Sequence, residues 1–140
     1  MKYWDSSAII PLCFREPSSD VVKRLIKADE EIVVWWTCRV ECVSALARRR
    51  REGLLALEAE KKARAILSAL SKSWSEVQAG DPVRQRAERI LMVHPLRAAD
   101  AFQLAAALIW AQEQPRGFGF VCLDEHLRGA ASKEGFTVLP

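Results

Sequence analysis

Four acidic residues of this 140-residue chain stand in apolar surroundings where carboxylates are uncommon. Asp5 follows Tyr-Trp, Glu41 is flanked by valine and cysteine, Asp100 interrupts the apolar stretch 98–111, and Asp124 follows Phe-Val-Cys-Leu. A helix that is apolar on every side is normally buried, so the sequence predicts that Asp100 lies within the core. A buried charge is costly unless it is paired. The chain offers no dedicated cationic partner, so a divalent metal shared by several acids is the simplest account.

The residue types around these acids indicate which metal and which chemistry. Two carboxylates about 4 Å apart repel by ~1 kcal/mol in water and by ~4 kcal/mol at an effective dielectric of 20. Oxygen ligands without a neighbouring histidine or cysteine select Mg²⁺ or Mn²⁺. Such an ion polarises a phosphoryl oxygen and delivers a hydroxide nucleophile, so the protein needs no nucleophile of its own. Ser6 and Ser7 are interpreted as donors around the site or as ligands of metal-bound water, with helix capping as the alternative.

Each acid also has a structural explanation. Asp5 and Asp124 suit helix N-caps, because a short carboxylate accepts hydrogen bonds from the free amides of a first turn. Glu41 and Asp100 suit the positive end of a helix dipole. The joint pattern favours the functional interpretation, because all four acids would lie at one end of the predicted sheet.

The elements that must position these acids follow from the apolar patterning. Apolar, β-branched or aromatic runs predict strands at 3–4, 31–36, 92–93, 118–123 and 136–139. Capped or amphipathic segments predict helices at 8–14, 37–51, 54–70 and 98–111. Three more helices are predicted by one end only: the first begins at 18 or 19, the second begins at 81, and the third ends at 131. This alternation predicts an α/β fold with a mainly parallel sheet. Asp5 and Asp124 then follow strand ends, where the sites of such sheets form.

Length and composition narrow the class of protein. The chain length predicts one domain over 1–140, and its 50% hydrophobic content suffices for a sizeable core. No apolar run reaches the ~18 residues of a membrane span, and no signal pattern opens the chain, so we expect a cytoplasmic protein. The cysteines at 13, 38, 42 and 122 lack zinc-site spacing and predict buried free thiols. A net charge of +3 permits nucleic-acid binding without requiring it.

Four segments together resemble the motifs of a known family. Residues 5–8 (Asp-Ser-Ser-Ala) resemble the opening motif of the PIN-domain nucleases, and 40–46 (Val-Glu-Cys-Val-Ser-Ala-Leu) resemble their central helical acid. Residues 96–105 (Leu-Arg-Ala-Ala-Asp-Ala-Phe-Gln-Leu-Ala) resemble the third and most specific motif, and 120–127 resemble the fourth. The resemblance extends over essentially the whole chain and is closest to the VapC toxins of type II toxin–antitoxin modules.

This resemblance implies a three-layer α/β/α sandwich with a mainly parallel central sheet. It implies an endoribonuclease that depends on Mg²⁺ or Mn²⁺, with Asp5, Glu41, Asp100 and Asp124 as its catalytic and metal-binding quartet. It also implies an RNA substrate, a homodimer and an antitoxin protein that blocks the active-site groove. A housekeeping RNA-processing nuclease and an inactive PIN fold used for protein interaction are the alternatives, and the intact quartet argues against the second.

Two positions depart from frequent choices of the family. Gln103 stands where many members have histidine or aspartate, which leaves a second metal site in doubt. Cys122 stands where many have threonine or serine, which removes a hydroxyl near the attacking water.

Several other residues have alternative interpretations. Arg97 precedes the Asp100 helix, where it would contact either the scissile phosphate or the acids. The arginine run 48–51 suits a solvated helix face better than an RNA contact. Trp36 would pack in the core, with base stacking or partner binding as the alternative.

Overall fold

Strands and helices alternate along the chain in the computed structural model, which describes all residues 1–140. The five strands are β1 (Lys2–Trp4), β2 (Ile32–Trp35), β3 (Ser75–Val77), β4 (Gly119–Val121) and β5 (Thr137–Leu139). The seven helices are α1 (Ser6–Cys13), α2 (Ser19–Ala28), α3 (Cys38–Arg51), α4 (Leu57–Leu70), α5 (Asp81–Val93), α6 (Ala98–Trp110) and α7 (Glu125–Glu134). None of these helices combines the length and the apolarity needed to cross a membrane.

The strands form one parallel sheet in the order β3-β2-β1-β4-β5. Successive strands are therefore added on one side of β1 as far as β3, and β4 and β5 are then added on the other side of β1. In open parallel sheets, ligands bind beyond the carboxyl ends of the strands at the point where the order reverses. Here that point lies between β1 and β4, which are followed by Asp5 and Asp124.

Helices cover both faces of the sheet. The last two side chains of β1 each contact a different one of the two helical layers. Tyr3 belongs to the apolar core that α5, α6 and α7 form on one face. Trp4 points the opposite way, because side chains alternate along a strand, and belongs to the core formed with α1 to α4. The predicted three-layer α/β/α sandwich is confirmed.

The predicted position of Asp100 within the core is wrong. The core-facing residues of α6 begin at Ala101, whereas Asp100 lies in the first turn and is only half-buried, beside the exposed Ala98 and Ala99. Alanine favours helices whether or not it is buried. The alanine-rich sequence of this turn therefore indicated helix correctly and burial incorrectly.

Two other predictions about the elements need correction. Residues 92–93 are not a strand but the last turn of α5, and both Met92 and Val93 are exposed. The edge strand β3 was not predicted, because two of its three residues are exposed and polar. It forms by parallel pairing with β2, a contact that its own sequence pattern does not indicate.

Candidate active site

Asp5 is the most deeply buried of the four acids. It follows β1 directly and caps α1, where its Oδ2 accepts hydrogen bonds from the Ser7 backbone N–H at 3.0 Å and from the Ser7 hydroxyl. The Cys122 thiol donates to the same oxygen at 3.5 Å. Burial raises the pKa of Asp5 from 3.8 to about 6, and the charge of Glu41 adds to this rise while the Ser7 bonds oppose it. The site thus holds a carboxylate that is poorly solvated for its charge.

Glu41 is held in place by three neutral donors. Its Oε2 accepts from the Ser6 hydroxyl and from Gln103 Nε2, each at 2.9 Å. Its Oε1 accepts from the Thr37 hydroxyl at 2.6 Å. These bonds come from α1, α6 and the residue before α3, so three segments determine the orientation of one carboxylate.

Tyr3 determines which end of the Gln103 amide faces Glu41. The Tyr3 hydroxyl donates to Gln103 Oε1 at 2.8 Å, and burial raises the pKa of Tyr3 well above its usual value of 10. The phenol therefore remains protonated and occupies the amide oxygen, which leaves the amide nitrogen to donate to Glu41. Gln103 is itself 1% exposed and contacts the acid from the core side of α6.

Asp100 and Asp124 lie together on the other side of the site. Both line a recess of about 370 Å³ that also contains Arg97 and His126. The pKa of Asp100 is raised by burial and by the charges of Asp124 and Glu41, while His126 and Arg97 partly offset this rise. Asp124 also caps α7 by accepting from a first-turn amide at 2.9 Å.

An open groove of about 630 Å³ joins these groups. It is lined by Glu41 and Asp124, by both serines of the first motif and by Arg48 and Arg49 of α3. Because Asp124 lines both the groove and the Asp100 recess, the two spaces meet at that side chain. Asp5 does not line the groove but contacts Ser7, which does.

The four acids have no cationic partner in the structure. None of them takes part in an ion pair. The structure also contains no group of three or more histidine, cysteine, aspartate or glutamate side chains arranged to hold a metal ion. Most of the available donors are carboxylate and hydroxyl oxygens, but the Cys122 thiol contacts Asp5 and His126 lies in the Asp100 recess, so the expected absence of a neighbouring histidine or cysteine is wrong. The carboxylates repel one another electrostatically. Such a donor set fits a hard divalent cation in its chemistry.

The structure decides most of the alternatives left open by the sequence. Asp5 and Asp124 both act as N-caps, and they also contribute to the acid cluster. Ser6 and Ser7 each donate to one of the acids. Arg97 forms no ion pair with them and lies in the Asp100 recess, from which it affects that carboxyl through space.

The remaining expectations have mixed outcomes. All four cysteines are buried and free, as predicted. The core position predicted for Trp36 is wrong, since 52% of this residue is exposed. The arginine run is only partly solvated, because Arg49 pairs with Glu16 at 2.7 Å and Arg50 with Glu60 at 3.1 Å.

Two residues of the site had not been singled out from the sequence. Thr37 was predicted only as a helix cap, but its side chain makes no capping bond and instead donates to Glu41. Thr37 and Glu41 are four residues apart, a spacing that places two side chains on one helix face, so the sequence did contain a signal for this contact. Tyr3 had no such signal, because it contacts Gln103 across 100 positions of the chain.

These features define a class of protein: an α/β/α sandwich with unpaired carboxylates at the switch point of its parallel sheet. The chain belongs to the PIN-domain family, whose model matches residues 2–131.

Comparison with individual proteins agrees with this assignment. The chain is 31% identical to Ribonuclease VapC46 of Mycobacterium tuberculosis (strain ATCC 25618 / H37Rv), over 98% of this chain and 95% of that protein. Its fold is similar to that of Mycobacterium tuberculosis VapC20, described as a sarcin-ricin loop cleaving toxin, with a TM-score of 0.67, 21% identity and full coverage of both chains. It is also similar to PAE2754 from Pyrobaculum aerophilum, with a TM-score of 0.67, 19% identity and coverage of 99% and 89% of the two chains.

Proposed function

We propose that this protein is an endoribonuclease of the VapC toxin class that requires Mg²⁺ or Mn²⁺. The observation that supports this proposal most directly is the electrostatic coupling of Asp5 to Glu41 and of Asp100 to Asp124 and Glu41, with none of the four carboxylates in an ion pair. The likeness to Ribonuclease VapC46 over nearly the whole chain supports RNA as the substrate.

In the proposed mechanism, the four carboxylates hold the cation and the surrounding residues hold the carboxylates. A bound divalent ion would supply Lewis acidity at a phosphoryl oxygen and lower the pKa of water. Ser6, Thr37 and Gln103 orient Glu41 through neutral hydrogen bonds, so they do not cancel its charge. Water then attacks phosphorus in line as the P–O3′ bond breaks, which gives a 3′-hydroxyl and a 5′-phosphate.

The other polar residues of the site would bind substrate. Arg97 lies in the same recess as Asp100, where a guanidinium suits contact with a phosphate. Arg48 lines the groove together with Glu41 and Asp124 and has no ion-pair partner, unlike Arg49 beside it. A single RNA strand passing from one arginine to the other would cross the acid cluster.

A cleavage assay tests this proposal directly. Purified wild type is expected to cleave a labelled RNA in Mg²⁺ and to lose this activity in EDTA. Asp5→Asn and Asp100→Asn should each lower the rate by at least about 100-fold, since each removes a charge that stabilises the ion. Glu125→Gln is the matched control, because Glu125 neighbours Asp124 but its side chain is 90% exposed. Full activity of Asp100→Asn would contradict the proposal.

Three further experiments address the biological role and the oligomeric state. If the protein is a toxin, induced expression of wild type should arrest growth of a bacterial host and Asp100→Asn should not. A small partner protein that co-purifies with the chain and inhibits RNA cleavage would identify the antitoxin. Light scattering of the purified chain tests the proposed homodimer. Normal growth at an expression level that gives measurable RNase activity would favour a housekeeping nuclease.

A further inference from the structure

A second cleft opens beside Glu41, and its lining differs from that of the acidic groove. It has a volume of about 470 Å³ and is lined mainly by aromatic and small side chains, with Trp35, Trp36 and Phe102 as the large ones. A cleft of this size suits a small organic group rather than an ion alone. The mechanism proposed above does not use this space.

The aromatic side chains of the cleft differ in exposure. Trp35 and Phe102 stack with ring centroids 5.6 Å apart and an interplanar angle of 7°. Trp35 is 4% exposed and fixed in the core, whereas Trp36 is 52% exposed. The large exposed fraction of Trp36 leaves a flat π-surface available in a cleft whose aromatic neighbours are already packed.

The cleft is continuous with the proposed active site. Glu41 and Thr37 both line it, and the Thr37 hydroxyl donates to Glu41 at 2.6 Å. Trp36 is the residue immediately before Thr37. A group bound against Trp36 would therefore lie next to one of the carboxylates proposed to act on the scissile phosphate.

Arg84 adds a positive charge to the same cleft. Its guanidinium pairs with Asp81 at 3.1 Å, but both side chains are more than two-thirds exposed. Such a surface pair contributes little stability, so the guanidinium is free to exchange the carboxylate for a phosphate, which a guanidinium can bind through two parallel hydrogen bonds. The cleft thus combines a stacking surface with a phosphate-binding group.

We infer that this cleft binds one nucleobase of the RNA strand adjacent to the scissile phosphate, with the base stacked on Trp36 and Arg84 contacting a neighbouring phosphate. The inference rests on the proposed function, because the strand is placed by the acid cluster. Single-stranded RNA is recognised by unstacked bases that lie on aromatic side chains. A partner helix would instead need a long groove with regularly spaced pockets, and a cleft of about 470 Å³ has the size of a small organic group.

The test compares Trp36→Ala with Trp36→Phe on short RNAs of randomised sequence, with product ends sequenced. Wild type is expected to prefer certain bases at one position next to the cut. Trp36→Ala should flatten that preference and raise KM about tenfold with a smaller effect on kcat, whereas Trp36→Phe should retain both properties. Met92→Ala is the control, since Met92 is 88% exposed and lies in no part of either site. Thermal melts would establish that the variants are folded.

A substrate change makes the test independent of folding. For wild type, replacing the nucleotide at the preferred position by an abasic one should lower kcat/KM. The size of this decrease should match the decrease that Trp36→Ala shows with intact RNA. Combining the two changes should cost no more than either alone, because both remove the same stacking contact. Additive losses would overturn the inference.

Other outcomes separate this inference from the proposed function. Absence of metal-dependent cleavage by wild type would overturn the proposed function and this inference with it. If wild type cleaves RNA and Trp36→Ala has the same base preference and the same KM, the inference would be wrong while the proposed function would stand. If Trp36→Ala weakened only inhibition by a co-purified partner protein, the cleft would be a protein-binding surface and the inference would be wrong.

Discussion

Asp5→Asn is expected to make the metal-free protein more stable, although it removes a proposed metal ligand. The carboxyl is 4% exposed, and burial raises its pKa from 3.8 to about 6. A shift of one unit corresponds to about 1.4 kcal/mol, so keeping this group ionised at pH 7.5 costs the folded state about 3 kcal/mol. An uncharged amide of the same shape avoids that cost.

The net gain should be smaller than the full cost of ionisation. Asparagine keeps the oxygen that accepts from Ser7 and Cys122, but its NH₂ group takes the place of Oδ1, which makes no hydrogen bond in the structure. Leaving part of that donor unsatisfied costs about 1–2 kcal/mol. We therefore expect a gain of about 1–2 kcal/mol in the free energy of unfolding, or roughly 4–8 °C in Tm for a chain of this size.

The pH dependence of this gain follows from the direction of the pKa shift. Because the pKa of Asp5 is raised in the folded state, its protonated form is favoured there. Wild type therefore loses stability as the pH rises from the unfolded value of 3.8 through about 6, and Asp5→Asn does not. The stability difference should be greatest above pH 7, should shrink as the pH falls and should reverse near pH 4, where the ionisation cost is almost gone and the cost of the unsatisfied amide remains.

Urea unfolding in EDTA at several pH values would measure this difference. Asp20→Asn is a control of opposite sign, because the Arg15 guanidinium lowers the pKa of that exposed carboxyl and the substitution removes a favourable contact. Added Mg²⁺ should stabilise wild type and leave Asp5→Asn unchanged. An Asp5→Asn protein that is less stable than wild type in EDTA at pH 7.5, or a difference that does not change with pH, would refute the reasoning.

Three further predictions concern the same site and its support. Tyr3→Phe frees the Gln103 amide to rotate away from Glu41, so RNA cleavage should fall about tenfold and the Mg²⁺ concentration for half-maximal activity should rise, which a metal titration would detect. The rise in Tm produced by Mg²⁺ should weaken as the pH falls below about 6, because protons then compete for Asp5, and calorimetry in matched buffers would show this. Gly135→Ala should destabilise the fold by about 1–2 kcal/mol without changing metal dependence, because the C-cap of α7 has a φ of +107°, and chemical denaturation would measure the loss.

The placement of three of the four acids could be predicted from the sequence because it follows from topology. Parallel strands present their carboxyl ends at one edge, so any residue just after β1 or β4 must lie at that edge. Asp5 and Asp124 were located by this rule alone. Glu41 was located by its position in the first turn of α3, the helix that follows β2. The same rule does not account for Asp100, because α6 follows helix α5 and not a strand.

The contacts that orient these acids could not be predicted in the same way. The Tyr3–Gln103 bond joins residues 100 positions apart, and the Gln103–Glu41 bond joins residues 62 positions apart. Both depend on how far α6 lies from the sheet and on its rotation, which are set by packing. Periodicity identifies the face of a helix that is apolar, but it does not identify the polar atom that a buried glutamine meets.

The neutral character of these donors explains how the site keeps its charge. A lysine or arginine in place of Gln103 could also donate to Glu41, but it would have no acceptor for the Tyr3 hydroxyl and would cancel the negative charge that is proposed to attract a cation. Hydroxyl and amide donors satisfy lone pairs without supplying charge, so the carboxylates remain oriented and electrostatically unpaired. A Gln103→Lys protein should therefore bind Mg²⁺ more weakly in a metal titration, since the repulsion among the carboxylates is the proposed source of their affinity for a cation.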